Sequence, residues 1–156
     1  MKLLSMNTAI YSCTRLEELA AEFSIGRGDV ILTNRYIFSG AALDAMSGAS
    51  VIWKEDYGKG EPTDVMVNAI RAECPRDAKR IIALGGGTVM DVAKLLVLPL
   101  DRPLESFLAP DAEFIREREL ILVPTTCGTG SEMTNISMIT FTGIHFKGGI
   151  VSDTLY

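Results

Sequence analysis

The residues best suited to chemistry in this chain lie in two glycine-rich stretches. The first is Gly85-Gly86-Gly87-Thr88, which follows the short apolar run 81–84. Glycine permits sharp turns and leaves room for a ligand beside the main chain. Apolar residues then recur at helical spacing, so the pattern predicts a strand, a glycine turn and a helix N-terminus. The free N–H groups and the dipole of such an N-terminus favour a phosphate.

This first stretch departs from the generic nucleotide-binding motifs. A Gly-x-Gly-x-x-Gly fingerprint requires glycine at position 90, where the chain has Met90, and a Walker loop requires Gly-Lys-Ser/Thr, which is absent. We interpret Thr88 as the helix cap and Asp91 as a charge that stabilises the start of the helix. A tight turn that binds no ligand is the alternative interpretation.

The second stretch, 124–132, concentrates hydroxyl groups around two glycines. Its hydroxyls belong to Thr125, Thr126, Thr129 and Ser131. Hydroxyls and open backbone N–H groups bind phosphate, ribose or an adenine edge, although a polar loop can also use them to satisfy its own backbone. No histidine lies near Cys127 in sequence, so we interpret this cysteine as a small buried thiol and not as a nucleophile.

Composition excludes several classes of function. The 156 residues suit one domain with a sizeable core, and the net charge of −5 gives no basic surface for nucleic acid. The apolar runs are too short for a membrane span, and three dispersed cysteines predict reduced thiols and a cytoplasmic location. The single histidine, His145, excludes a site within this chain that needs two imidazoles, and we expect it to face solvent.

Strand patterns alternate with helix patterns along the chain. Strands are predicted at 8–11, 29–34, 50–54, 81–84 and 120–123. The first predicted helix follows the capping box Thr14-x-x-Glu17 and is ended by Gly26 and Gly28. A second is predicted at 36–46 and a fourth after Thr88. The third follows Thr63, and its apolar face includes Met66, Ala69 and Ile70. A hairpin is predicted over 135–141 and 144–151, turning at Thr142-Gly143.

This alternation predicts an α/β fold with a Rossmann-like, mostly parallel sheet flanked by helices and a β-hairpin near the C-terminus. Ligands of such sheets bind outside the carboxyl ends of the strands. Both glycine-rich stretches follow strands directly, so we expect them to face one crevice.

The segments Gly85-Gly-Gly-Thr-Val-Met-Asp-Val-Ala-Lys94 and Pro124-Thr-Thr-Cys-Gly-Thr-Gly-Ser-Glu132 together resemble the iron-containing (group III) alcohol dehydrogenase family. The resemblance covers essentially residues 1–156, as that family's N-terminal dinucleotide-binding domain. It implies that NAD is the cofactor and that two groups of residues hold it. Gly86, Gly87, Thr88 and Asp91 would surround the pyrophosphate, and Thr125, Thr126 and Thr129 would hold the rest of the nucleotide.

Three positions differ from the pattern that is common in the family. Asn34 stands where many members have an Asp that binds the adenosine ribose, which favours NAD without the charge that repels a 2′-phosphate. Glu61 stands where many have Asn. Gly148 occupies the place of a hairpin lysine that often contacts the cofactor, and Lys147 beside it is the candidate to replace that lysine.

Segments 28–34, 57–63 and 147–156, with Cys127, resemble the members of this family that interconvert 4-hydroxybutyrate and succinate semialdehyde. The resemblance implies a small alcohol or aldehyde substrate and a homodimer, while the net charge and the short apolar runs predict no nucleic-acid or membrane partner. It also implies a divalent iron or zinc ion, held by one Asp and three His of a C-terminal helical domain that follows Tyr156, so residues 1–156 alone are expected to be inactive. Another alcohol, diol or glycerol dehydrogenase, or a non-catalytic nucleotide-binding module, remains the alternative.

Overall fold

The computed structural model describes residues 8–37 and 40–156. Its centre is a four-stranded parallel sheet, and an antiparallel hairpin packs beside it. The strands of the sheet are β1 (Asp29–Thr33), β2 (Ser50–Trp53), β3 (Arg80–Gly85) and β4 (Glu119–Pro124), in the order β2-β1-β3-β4. The hairpin is formed by β5 (Ile136–Phe141) and β6 (Phe146–Val151). The predicted α/β architecture with a C-terminal hairpin is therefore confirmed.

Four helices cover the two faces of the sheet: α1 (Leu16–Glu22), α2 (Ala41–Ala45), α3 (Asp64–Glu73) and α4 (Gly87–Leu96). Side chains of a strand point alternately to opposite faces. Leu32 and Ile81 accordingly pack with α3, α4 and the hairpin, while Ile31 and Ile82 pack with α1 and α2. No helix among the described residues is both long enough and apolar enough to span a bilayer.

Two predictions near the amino terminus are wrong. The described residues 8–11 form no strand. The capping box is displaced by one residue: Arg15, not Thr14, is the N-cap of α1, and the backbone N–H of Thr14 donates to Oε2 of Glu18 at 2.8 Å. Glu17 and Glu18 both lie in the first turn of α1, and the sequence pattern alone predicted Glu17, not Glu18, as the acceptor of the capping hydrogen bond.

The predicted glycine stop of α1 is also wrong. The helix ends at Glu22, and Ser24 takes the left-handed conformation with φ of 47°. The N–H of Ser24 donates to the carbonyl of Ala21, and the N–H of Ile25 donates to that of Ala20. These two hydrogen bonds satisfy the last carbonyls of the helix in a Schellman arrangement, so no glycine is needed there.

The remaining helices agree with the sequence to different degrees. Of the predicted helix 36–46, positions 38–39 lie outside the described residues, and the observed α2 begins only after Gly40, whose φ is 58°. Thr63 caps α3 as predicted, since its Oγ1 accepts a hydrogen bond from the N–H of Met66 at 3.1 Å. Ala69, however, is exposed, and Val67 takes its place on the buried face.

The hairpin forms as predicted, but its turn has four residues, 142–145, instead of two. His145 lies in this turn with φ of 51° and is exposed, as expected. Cys127 is exposed as well, so its interpretation as a buried thiol is wrong. The loop that follows β4 lies on the surface and buries none of the residues 124–129.

Candidate functional site

The site is built at the point where β3 turns directly into α4. Gly85 ends the strand, and a Cβ on it would lie 2.7 Å from the side chain of Val89 in the first turn of the helix. Gly86 is the N-cap, so Thr88 is the second residue of the helix and not its cap, which corrects the sequence interpretation. No side chain caps this N-terminus, and its first N–H groups have no partner within the helix.

The loop after β4 lies against this turn. Gly85 is in register with Pro124, and the N–H of Thr125 donates to the carbonyl of Gly85 at 3.0 Å. A Cβ on Gly86 would lie 3.0 Å from Oγ1 of Thr126. A Cβ on Gly87 would lie 2.9 Å from Oγ1 of Thr129. The two glycine-rich stretches therefore meet, and threonine hydroxyls occupy the space that side chains at 86 and 87 would need.

A cavity of about 380 Å³ opens beside the N-terminus of α4. Five of the nine predicted binding residues line it: Gly87, Thr88, Asp91, Thr129 and Lys147. Gly86 and Thr126 adjoin the lining, whereas Asn34 and Thr125 lie outside it. A larger cavity of about 510 Å³ lies between the segment 8–16 and β4, but it contains none of the nine. We take the smaller cavity as the candidate site because it contains the helix N-terminus.

Two opposite charges, Asp91 and Lys94, are buried in α4 beside this cavity, and Asp91 lines it. The Asp91 carboxylate accepts a hydrogen bond from the N–H of Met138 at 3.3 Å and lies 3.9 Å from Nζ of Lys94. The fully buried Lys94 donates to Oγ1 of Thr134 at 3.0 Å and to the carbonyl of Ile136 at 2.7 Å. Burial raises the pKa of Asp91 and lowers the pKa of Lys94.

Asp91 is therefore not the charge at the helix start that the sequence suggested. It lies in the second turn of α4, and its carboxylate turns toward β5. Lys94 was missed as a functional candidate. The signal that could have found it is the pair of opposite charges, three residues apart, inside the apolar run 89–98.

Lys147 lies at the mouth of the cavity, and its ammonium is paired. Its Nζ lies 2.6 Å from Oε2 of Glu61, and both side chains are more than half exposed. The loop that carries Glu61 is fixed at two points. Lys54 donates to two carbonyls of this loop, those of Gly58 at 3.1 Å and Gly60 at 3.0 Å, and the carbonyl of Pro62 accepts from the N–H of Thr140 at 2.9 Å.

Asn34 follows β1 at the same edge of the sheet. Oγ1 of Thr33 donates to the carbonyl of Leu84 at 2.8 Å, which places the end of β1 beside the glycine turn. The Asn34 side chain is largely buried, and its Nδ2 donates to the hydroxyl of Tyr36 at 3.4 Å. Asn34 thus lies at the carboxyl edge, where parallel sheets bind their ligands, but not in the cavity itself.

Comparisons with known proteins give a consistent result. The family model described as "Iron-containing alcohol dehydrogenase" matches residues 7–156. The 4-hydroxybutyrate dehydrogenase of Clostridium kluyveri is 41% identical over 157 residues, which cover 100% of this chain and 42% of that protein. The sulfoacetaldehyde reductase of Bilophila wadsworthia is 32% identical over 120 residues, which cover 72% of this chain and 30% of that protein.

Solved structures share the fold at low sequence identity. The sulfoacetaldehyde reductase from Bifidobacterium kashiwanohense, in complex with NAD⁺, matches with a TM-score of 0.74 at 23% identity, over 90% of this chain and 39% of that one. A 1,3-propanediol oxidoreductase matches with a TM-score of 0.74 at 21% identity, over 99% of this chain and 44% of that one. The chain spans less than half the length of each of these relatives.

Proposed function

This chain belongs to the iron-containing alcohol dehydrogenase family, and from that premise we propose that it is the dinucleotide-binding domain of an NAD-dependent dehydrogenase. The observation that carries the proposal is the uncapped N-terminus of α4, which faces a cavity beside a loop rich in hydroxyl groups. A dinucleotide has a pyrophosphate that needs N–H donors and two riboses that need hydroxyl partners, and this site offers both kinds of group.

The residues present fit such a cofactor. Gly86 and Gly87 allow the threonine loop to lie against the turn, and the pyrophosphate would approach the N–H groups of Gly87 and Thr88 from the cavity that these two residues line. The hydroxyls of Thr126 and Thr129 border the same space and can donate to phosphate oxygens. Asn34 can bind a ribose hydroxyl at the end of β1. The bound nicotinamide would supply the hydride acceptor for oxidation of an alcohol.

For the substrate we propose interconversion of 4-hydroxybutyrate and succinate semialdehyde. The support is the 41% identity, over the whole chain, to a protein named 4-hydroxybutyrate dehydrogenase. The matching share of that protein is 42%, so its remaining part has no counterpart in this chain. The proposal therefore concerns the complete protein, of which this chain would be the N-terminal domain.

The metal that the family name implies does not fit the residues present. Among residues 8–37 and 40–156, no three or more His, Cys, Asp or Glu side chains come together in a way that could hold a metal ion. We propose that a divalent iron or zinc is bound by a C-terminal helical domain of the complete protein. A homodimer and a cytoplasmic location, both expected from the sequence, stay predictions that size-exclusion chromatography and cell fractionation can test.

Replacement of Gly86 by Val tests the proposed cofactor site. The added side chain would meet Thr126 and push the threonine loop away from the helix N-terminus. We expect NADH affinity, measured by fluorescence titration of the complete protein, to fall about tenfold or more. Gly143→Val is the matched control, because nothing lies within 4 Å of a Cβ at that position.

The activity of the complete protein is tested by following NADH formation at 340 nm with 4-hydroxybutyrate, with a diol and glycerol as comparison substrates. A higher kcat/KM for 4-hydroxybutyrate supports the proposed substrate. Equal NADH affinity of Gly86→Val and Gly143→Val would remove the cofactor from this turn. NADH binding without turnover of any of these alcohols would favour the non-catalytic nucleotide-binding module.

A further inference from the structure

We propose that Asp56 is a positioning residue that makes this site select NAD over NADP, because it occupies the guanidinium donors of Arg35 that could otherwise bind a 2′-phosphate. The inference rests on the proposed function and concerns the adenosine end of the cofactor. Arg35 directly follows Asn34, the residue proposed to bind the adenosine ribose. An arginine near that position is the group that accommodates the 2′-phosphate in dinucleotide-binding sheets.

Both terminal nitrogens of the Arg35 guanidinium contact neighbouring carboxylates. Its Nη1 donates to Oδ1 of Asp56 at 2.6 Å, and its Nη2 donates to Oδ2 of the same carboxylate at 2.8 Å. Oε1 of Glu55 lies 3.6 Å from Nη1 and also accepts the backbone N–H of Arg35 at 2.8 Å. The guanidinium carbon lies 5.0 Å from the centroid of the Trp53 ring.

The partners of the Arg35 guanidinium all lie at or after the end of β2, which is the neighbour of β1 on one side. Trp53 ends β2, and Glu55 and Asp56 lie in the single 3₁₀ turn Lys54–Tyr57 that follows it. β2 and β3 flank β1 on opposite sides, and the glycine turn follows β3. The guanidinium therefore lies on the side of β1 that faces away from the turn proposed to hold the pyrophosphate.

The contact between Arg35 and Asp56 disfavours binding of the 2′-phosphate of NADP. A bidentate carboxylate occupies the same fork of N–H donors that would otherwise bind a phosphate. The hydrogen bond from Arg35 holds the pKa of the Asp56 carboxyl below its usual value, so this competitor keeps its charge at neutral pH. A 2′-phosphate would have to displace Asp56 while facing two carboxylates. A ribose hydroxyl needs only a neutral partner such as Asn34.

The test is a comparison of NADH and NADPH affinities in the complete protein and its variants, by fluorescence titration. For Asp56→Ala we expect NADPH affinity to rise about tenfold while NADH affinity changes less than about twofold. Asp56→Glu should restore discrimination, since it returns a carboxylate to the guanidinium. In Asp56→Ala with Arg35→Ala the gain should disappear, because the freed cation is then missing.

Asp77→Ala is the matched control, since Asp77 is an exposed carboxylate in the loop before β3, at the opposite edge of the sheet. Unchanged NADPH affinity in Asp56→Ala, or parallel changes for both cofactors, would overturn the inference. So would a gain that persists in the double variant, because it would then not come from Arg35. If the unaltered protein binds neither cofactor, it is the proposed function that fails, so the two failures are distinguishable.

Discussion

Glu61 places a carboxylate 2.6 Å from Nζ of Lys147, at the mouth of the candidate site. The pair is exposed, so it contributes little to folding stability. Its effect on an anionic ligand is different, because a pyrophosphate entering the cavity meets a cation that is already neutralised. Glu61 therefore weakens the attraction that Lys147 could exert on the cofactor.

Replacing Glu61 by Gln should strengthen NADH binding. The change removes one negative charge and frees Lys147, so we expect the Kd to fall about two- to fivefold. Lys147→Met should raise the Kd by a similar factor. Both effects should shrink at high ionic strength, since exposed charges are screened. Fluorescence titration at low and high salt measures them.

Glu105→Gln serves as the control, because Glu105 is exposed and does not line the cavity. If Glu61→Gln left the Kd unchanged at low salt, the pair would have no influence on the cofactor.

At the residue level, the sequence predicted backbone requirements better than side-chain environments. Gly86 and Gly87 could be identified because only glycine fits where two loops touch, and the touching loops follow adjacent strands. The exposure of Cys127 and the hydrogen-bond partners of Lys94 could not be predicted, because both depend on how the loop after β4 and the hairpin pack. Asp91 shows the same limit, since its partner Met138 lies 47 positions away.

Among the secondary-structure elements, the hairpin depends on polar anchors to α3 and α4. Asp64, at the start of α3, accepts hydrogen bonds from the N–H of Thr142 at 3.0 Å and from its Oγ1 at 2.9 Å. Oγ of Ser137 donates to the carbonyl of Asp91 at 2.7 Å, and Lys94 binds the chain entering β5. Because residues of β5 line the cavity, these anchors hold one side of the candidate site against α3 and α4.

The Asp64 anchor predicts a pH dependence of stability. Burial acts to raise the pKa of Asp64, but hydrogen bonds, chiefly from Thr142, outweigh it, so the pKa lies below the usual value. A depressed folded-state pKa means that the anchor stabilises the fold at pH above about 4, the unfolded value, and is lost as pH falls through the folded one. In urea unfolding, Asp64→Asn should cost about 1 to 2 kcal/mol at pH 7 and progressively less below pH 4.

Asp77→Asn is the control for the loss of a charge, because Asp77 is exposed and lies away from the hairpin. A cost of Asp64→Asn that stays constant down to acidic pH would show that ionisation of Asp64 does not carry the anchor.

The strands could be predicted more reliably than the helix ends. β1 and β3 are short apolar runs bounded by polar or glycine residues, and parallel strands buried on both faces require that pattern. β4 has the same apolar pattern, although its central residues are only half-buried. Helix ends depend on single backbone conformations. Ser24 ends α1 in a conformation that glycine usually adopts, and Gly40 delays α2 through its positive φ. Neither can be read from hydrophobic periodicity.

For the molecule as a whole, the sheet has an open edge at β4, whereas the candidate cavity is lined by the described residues. Within the described residues, β3 is flanked by strands on both sides and its core is closed, whereas β4 pairs only with β3 and its residues 120–123 are half-buried. An edge strand with unpaired backbone groups is a place where further chain can add. The candidate cavity, by contrast, is lined by residues of α4, the loop after β4, the hairpin and the loop before α3.

This difference leads to a prediction about residues 1–156 expressed alone. We expect them to show no alcohol dehydrogenase activity, whatever divalent metal is added. A catalytic metal needs about three or four protein ligands drawn from His, Cys and carboxylates. The chain has one histidine, in the exposed hairpin turn, and no suitable cluster exists among residues 8–37 and 40–156. The assay is NADH formation from 4-hydroxybutyrate with ferrous iron or zinc supplied.

Circular dichroism should first establish that the 156-residue protein is folded, and the complete protein provides the positive control. NADH titration separates the two parts of the expectation, because binding without turnover is the result expected of a cofactor domain that lacks its metal ligands. Asp91 and Lys94 are the charged groups beside the cavity that could act on a substrate in place of a metal. Asp91, however, accepts a hydrogen bond from Met138, and Lys94 donates to Thr134 and Ile136. Metal-dependent turnover above the no-enzyme rate would therefore mean that catalytic groups lie within these 156 residues and that the proposed division between two domains is wrong.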